Sequence, residues 1–231
     1  MMSWLRTLAS RDEDEGALGR HGVLLGSMVL LLVALPLIQI AVGQSAGFPP
    51  MLALVLVAAV FVNSRQRGLF FVAGTLGAVA VAGLGLSEVI DAATVRTASQ
   101  IVALALLGLT TLVMLNSLIQ ADQVSRDTIV GGICVYLLVG LCFAMSFIIL
   151  VQIEPGAIVA GSEPVATNEP SRLSTQLLYF SFVTLTTLGY GDLAPKSDLA
   201  QMFAVSEAII GQLYLTIFVA RLVALYVGRK K

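Results

Sequence analysis

Thr184-Leu185-Thr186-Thr187-Leu188-Gly189-Tyr190-Gly191-Asp192 is the stretch that decides how the rest of the chain is read. It sets two glycines at alternate positions directly after a run of hydroxyl-bearing residues. Glycine adopts backbone dihedrals that a side chain disfavours, so such a loop is able to run extended with successive carbonyls turned to one line. The segment that leads into it, Ser171–Thr187, is apolar and hydroxyl-rich, yet too short and too polar to cross a bilayer. A short helix followed by extended backbone is tolerated at membrane depth only where protein surrounds it or where it lines a water-filled path. The two features together predict a re-entrant loop.

The surrounding chain has the composition such a loop requires. Of its 231 residues, 58% are hydrophobic and 12% are charged, and the mean hydropathy is +0.94. A soluble domain of this size carries about twice that charge fraction and cannot hide so much apolar surface in one core. The net charge of −1 leaves no basic footprint for nucleic acid. His21, beside Arg20, reads as a solvated juxtamembrane side chain. Cys134 and Cys142 share one apolar run and read as buried thiols on roughly one helical face, too far apart to bridge. These residues form no catalytic or metal-ligating constellation, so neither enzymatic activity nor a cofactor is expected.

Six apolar runs are candidates to span a membrane: Val23–Val42, Phe48–Val62, Leu69–Leu86, Ile101–Ile119, Ile129–Ile153 and Leu199–Val227. Pro36 is expected to kink the first, and the second is short. The first reads as a retained span rather than a signal peptide, because its apolar core is long and an acidic run precedes it. Basic residues divide ten to three between the two sides that six spans define. The richer side holds both termini, which the positive-inside rule places in the cytoplasm. The segment between the fifth and sixth runs opens with a Gly-, Pro- and acid-rich stretch, Glu154–Pro170, that reads as loop.

The run Thr187-Leu188-Gly189-Tyr190-Gly191, followed by Asp192 and lying between two spans, resembles the signature of the potassium channel family, whose filter is built from four TVGYG loops. Leu188 stands where valine is commonest. The preceding Leu178-Tyr179-Phe180-Ser181-Phe182-Val183 is similar to the family's pore helix, and the likeness covers roughly Ile129 to Val227. It implies that potassium is coordinated by the backbone carbonyls of Thr187, Leu188, Gly189 and Tyr190 and by the Thr187 hydroxyl. It further implies that the side chains of Leu188 and Tyr190 point away from the ions. A pore helix over about Ser174 to Thr186 would aim its C-terminal partial negative charge at a central cavity. One chain supplies one strand, so four copies are implied. Asp192, Val183, Phe180 and Thr186 are the residues expected to support the filter. Relatives often pair the aspartate with a glutamate or a tryptophan. Val183 and Phe180, read here as the matching positions, do neither, which leaves Asp192 to another group or to water.

The sixth run contains Glu207 and Gly211, four residues apart and so on one helical face. Gly211 falls where the family's inner-helix hinge lies, and close helix packing is the alternative reading. Glu207 is an acid inside a span and needs a partner; Thr184 and Thr186 are candidates, with a cavity-facing role as the alternative. The fourth run lacks arginine and lysine, with Arg96 just outside it, so weak or no voltage dependence is expected. The glycines of the third run, Gly74, Gly77, Gly83 and Gly85, read as tight helix packing. The short linker that contains Asp122, Arg126 and Asp127 is expected to salt-bridge to Arg221 or to the basic tail.

The resulting expectation is an all-α membrane protein with six transmembrane helices and a re-entrant pore helix and filter loop between the fifth and sixth. Residues 1–20 form a cytoplasmic tail, 21–121 a sensor-like four-helix domain, 122–228 the pore domain and 229–231 a basic tail. With four residues after the sixth run, gating is expected from the filter, the inner helices, lipid or a separate regulatory subunit. The implied function is a homotetrameric potassium-selective channel of a bacterial inner membrane, with membrane lipids as partners. A non-selective or sodium-conducting channel and a non-conducting regulatory subunit are the alternatives. No cofactor is expected, and K+ is the permeant ion.

Overall fold

The computed structural model describes residues 21–34, 37, 48–63, 67–90, 93–123, 125–166 and 170–228. The expected tails, 1–20 and 229–231, and the kink at Pro36 lie outside the described residues. Seven helices follow one another: α1 His21–Ala34, α2 Phe48–Val62, α3 Arg67–Ile90, α4 Ala93–Ile119, α5 Arg126–Ile153, α6 Pro170–Leu185 and α7 Asp198–Gly228. Of these, α3, α4, α5 and α7 are long and apolar enough to cross a membrane, while α1 and α2 are shorter apolar helices.

Helix α5 is the axis of the packing and touches α4, α6 and α7. Its start is fixed locally. Ser125 caps the helix, its hydroxyl accepting from the Thr128 N–H at 3.0 Å while the Thr128 side chain returns to the Ser125 backbone. Phe147, Leu138, Leu141, Met145 and Ile148 are fully buried along its length. Two of its glycines are pits for aromatic rings. A methyl at Gly132 would collide with Phe218 of α7, and one at Gly140 would meet Phe182 of α6. Phe180 packs its ring edge-on to Phe147, with centroids 5.0 Å apart.

Helices α2, α3 and α4 meet at small and polar residues. Gly83 of α3 faces Ser99 of α4, and Gly77 faces Val60 of α2, whereas Gly74 and Gly85 stand open. Asn63 donates to Thr110 across the α2–α4 contact at 2.9 Å. Thr97 donates to Gln152 at 2.7 Å and Gln152 to Gln100 at 3.0 Å, stitching α4 to α5. The start of α4 lies earlier than expected. It begins at Ala93, so Arg96 is in its first turn and not outside it. Short polar residues ahead of the apolar run hid that boundary.

Two expectations about charged and titratable side chains need correction. Among the described residues Arg221 meets no carboxylate. Its guanidinium donates to the carbonyls of Ile119 and Ala121 at 2.6 and 2.8 Å, closing the C-terminal end of α4. Helix ends leave carbonyls without intrahelical partners, and a cation is favoured there. His21 is not simply solvated. Its Nδ1 lies 2.6 Å from the Asp127 carboxylate, joining α1 to the start of α5.

The stretch expected to be loop between α5 and α6 contains strands. β1 Ile158–Ala160 and β2 Glu163–Pro164 form a hairpin, and β3 Leu193–Pro195 pairs with the other edge of β1, giving the antiparallel order β2-β1-β3. Ile158 is fully buried. The turn needs the left-handed Gly161, with φ of 63°.

Candidate pore loop and its supports

Helix α6 begins at Pro170, a residue suited to a first turn because its missing N–H has no intrahelical partner there. The helix ends abruptly. The Thr187 N–H turns back to the Thr184 carbonyl at 2.9 Å, and the N–H groups of Leu188 and Gly189 converge on the Val183 carbonyl at 2.9 and 3.3 Å. Val183 therefore holds the loop through its backbone oxygen, with its side chain buried. Thr186 folds its hydroxyl onto the Phe182 carbonyl at 2.7 Å.

The backbone then alternates. Thr187, Gly189 and Gly191 have φ of 57°, 59° and 79°, while Leu188 and Tyr190 between them keep negative values. A chain whose φ changes sign at every residue turns successive peptide planes the same way, so its carbonyls line one side. Two of the three left-handed positions are glycine, where this conformation meets no Cβ. The third is a β-branched threonine, for which it is a true outlier, costing about 1–2 kcal/mol. Local bonds hold it. The Thr187 hydroxyl donates to the Thr186 carbonyl at 2.7 Å and accepts from the Gln212 amide of α7 at 3.3 Å. Helix α6 also directs roughly half a negative charge from its C-terminus toward the loop.

Leu188 and Tyr190 stand exposed on the chain. Tyr190 stacks on Tyr179 of α6, with rings 6.5 Å apart and 8° from parallel. The Tyr179 hydroxyl also faces the Asp192 carboxylate. Burial first, and then the hydrogen bond and negative charge of Asp192, raise the Tyr179 phenol above its ordinary value of 10.0. The side chain that reaches Asp192 is thus Tyr179, not Val183 or Phe180. It was legible in principle, because Tyr179 and Val183 are four apart and share a helical face.

Behind the loop, α7 passes so close to α6 that a methyl on Gly211 would collide with the Leu185 carbonyl. Tyr136 of α5 donates to that same carbonyl at 3.5 Å. Glu207 is fully buried, and its partner is neither Thr184 nor Thr186, whose hydroxyls bond within their own helix turn. It is Ser181, whose Oγ lies 2.5 Å from Glu207 Oε1 and 2.7 Å from the Gly140 carbonyl. Tyr179, Ser181 and Gln212 are the supporting residues that sequence reasoning missed. For Gln212 the signal was a polar amide next to Gly211 in an apolar span.

Residues 133–227, which hold most of α5 together with α6, the loop and α7, match the family described as Ion channel. Protein LctB of Bacillus caldotenax is 32% identical over 123 residues, which cover 53% of this chain and 90% of LctB. The voltage-gated delayed rectifier potassium channel KCNH5 of Homo sapiens is 48% identical over 42 residues, 18% of this chain and 4% of that channel. KCNH1 of Rattus norvegicus, of the same description, is 44% identical over 52 residues, 21% of this chain and 5% of its own length. The chain thus spans nearly all of LctB but only a small fraction of the two KCNH channels. No solved structure gives a significant match. With the family match falling on the helices that frame the alternating loop, and with LctB and the KCNH channels among the relatives, the chain belongs to the potassium channel family of ion channels.

Proposed function

We propose that the chain is one subunit of a potassium-selective channel in which four copies surround a single pore. The observation that carries this is the alternation of φ at Thr187, Gly189 and Gly191. Potassium enters a narrow pore only if oxygens replace its lost water, and this backbone presents a row of them. The carbonyls of Thr187, Leu188, Gly189 and Tyr190 form successive rings. The Thr187 hydroxyl completes the innermost site, because its hydrogen is spent on Thr186 and Gln212 takes only one of its two lone pairs. The charges face oxygens of the backbone and not acidic side chains, which favours potassium over sodium or calcium as the permeant ion.

The need for four strands makes a cyclic assembly the natural solution. Helix α7 is consistent with it. Leu199, Met202, Val205, Ile209, Leu213 and Ile217 are all exposed on the single chain, and neighbouring subunits would cover part of that face. In this reading α1 and α2 join the four longer helices as spans, both termini are cytoplasmic, and the protein sits in a bacterial inner membrane. The sensor-like helices carry little charge to move, since Arg96 is the sole basic residue of α4.

Flux from liposomes of defined lipid tests the proposal. The purified protein should pass potassium and rubidium and reject sodium, and its mass in native-like bilayers should be that of four chains. Equal sodium and potassium flux would leave a non-selective channel, and no flux at all would leave a regulatory subunit.

A further inference from the structure

Glu207 is the one Asp or Glu among the described residues that is wholly buried. No lysine, arginine or histidine of the described residues lies within ion-pair distance of it. The groups that face it are few. Ser181 comes from α6, and the Gly140 carbonyl lies beyond it on α5. Tyr136 of α5 is the titratable side chain within electrostatic reach. Glu207 Oε2 has no hydrogen-bond partner.

The hydrogens can be counted. The Gly140 carbonyl only accepts, so the 2.7 Å contact with Ser181 Oγ requires the single serine hydrogen to lie between them. The 2.5 Å contact between Ser181 Oγ and Glu207 Oε1 then has no hydrogen left from serine. It must come from the carboxyl group. An ionised Glu207 would instead take the serine hydrogen, leave two oxygens facing each other at Gly140, and bury a bare anionic Oε2. Burying an unpaired charge is costly enough that such groups neutralise.

We propose that Glu207 is a neutral carboxylic acid that donates to Ser181, which donates to Gly140. This relay makes Glu207 a positioning residue that ties the inner helix to the pore helix and outer helix behind the signature loop. Ser181 lies six residues before Thr187, so the relay holds the helix from which the loop is suspended. The proposal deepens the channel reading and rests on it for its functional consequence, but the protonation state stands by itself.

Infrared spectroscopy of the purified full chain in lipid at neutral pH tests the protonation. Wild type should show the carbonyl stretch of a protonated carboxyl group, and E207Q should lack it. The absence of a Glu207-dependent band would overturn the proposal. Potassium flux and single-channel recording test the positioning. A glutamine amide donates to Ser181 as the acid does, so E207Q should keep wild-type selectivity and open dwell times. E207A should shorten the open dwell by about tenfold, as expected for the loss of one buried hydrogen bond. If E207Q behaved like E207A, the relay would be wrong. Should E207A not assemble, the E207Q comparison and the infrared band still decide. Wild type recorded alongside separates the two ideas, since failure to prefer potassium would sink the channel reading and leave the infrared result standing.

Discussion

Gly211 of α7 faces the carbonyl oxygen of Leu185, and no methyl group fits between them. The contact is backbone against backbone, so neither side can give way by changing a rotamer. It supports the packing reading of this glycine over the hinge reading. G211A should therefore destabilise the protein by about 1–3 kcal/mol, the usual cost of overpacking, seen as a lower melting temperature in lipid or detergent. A variant with unchanged melting but altered open probability would restore the hinge.

The hydroxyl of Tyr179 facing Asp192 ties α6 to the far end of the proposed filter. Y179F should leave assembly intact and hasten the decay of potassium current several-fold. D192N should act in the same direction, and the double variant should be little worse than either single one, since the two residues share one interaction. Strictly additive effects would argue that they act apart. The raised phenol value also sets a pH window. Because the folded form holds its proton more tightly, the contribution is intact below the ordinary value of 10.0 and is lost only as pH rises through the higher folded value.

Residues that act through local rules were open to reading from the sequence. The two glycines of the loop, the apolar runs of α3, α5 and α7 and the isolation of Arg96 all follow from side-chain size, length and charge. What stayed hidden depends on which helix faces which. Ser181 looks like an ordinary helix hydroxyl until Glu207 and Gly140 are set on either side of it. Arg221 is ambiguous in the chain, because a guanidinium bonds a carboxylate or a helix end equally well, and only the nearness of Ile119 and Ala121 decides. The strands β1 and β3 are three residues each, too short for alternation to reveal, and their pairing spans more than thirty residues of sequence.

Arg221 closes the end of α4 with two short bonds from one guanidinium. R221Q should lose about 1–3 kcal/mol, in keeping with hydrogen bonds to a charged donor. It should also open the 120–125 linker to proteolysis. R221K keeps the charge without the planar fork and should fall between. Equal protease resistance in wild type and R221Q would show that the clamp contributes nothing.

A charge that crosses the membrane field contributes about 2.3 kcal/mol per 100 mV. With Arg96 alone on α4, little energy is available to drive opening. Conductance in pure lipid should change only shallowly between strongly negative and strongly positive potentials. A steep curve would mean that another element moves charge.

Leu193, two residues past Gly191, is registered opposite Ala160, and Ala160 opposite Glu163 of the hairpin. The hairpin is thus a handle fastened to the chain where it leaves the loop. A fluorophore attached at Ser162, at its exposed tip, would travel with any rearrangement of that loop. An antibody gripping the same tip would brake it, so the fold offers a means of both watching and arresting the proposed pore.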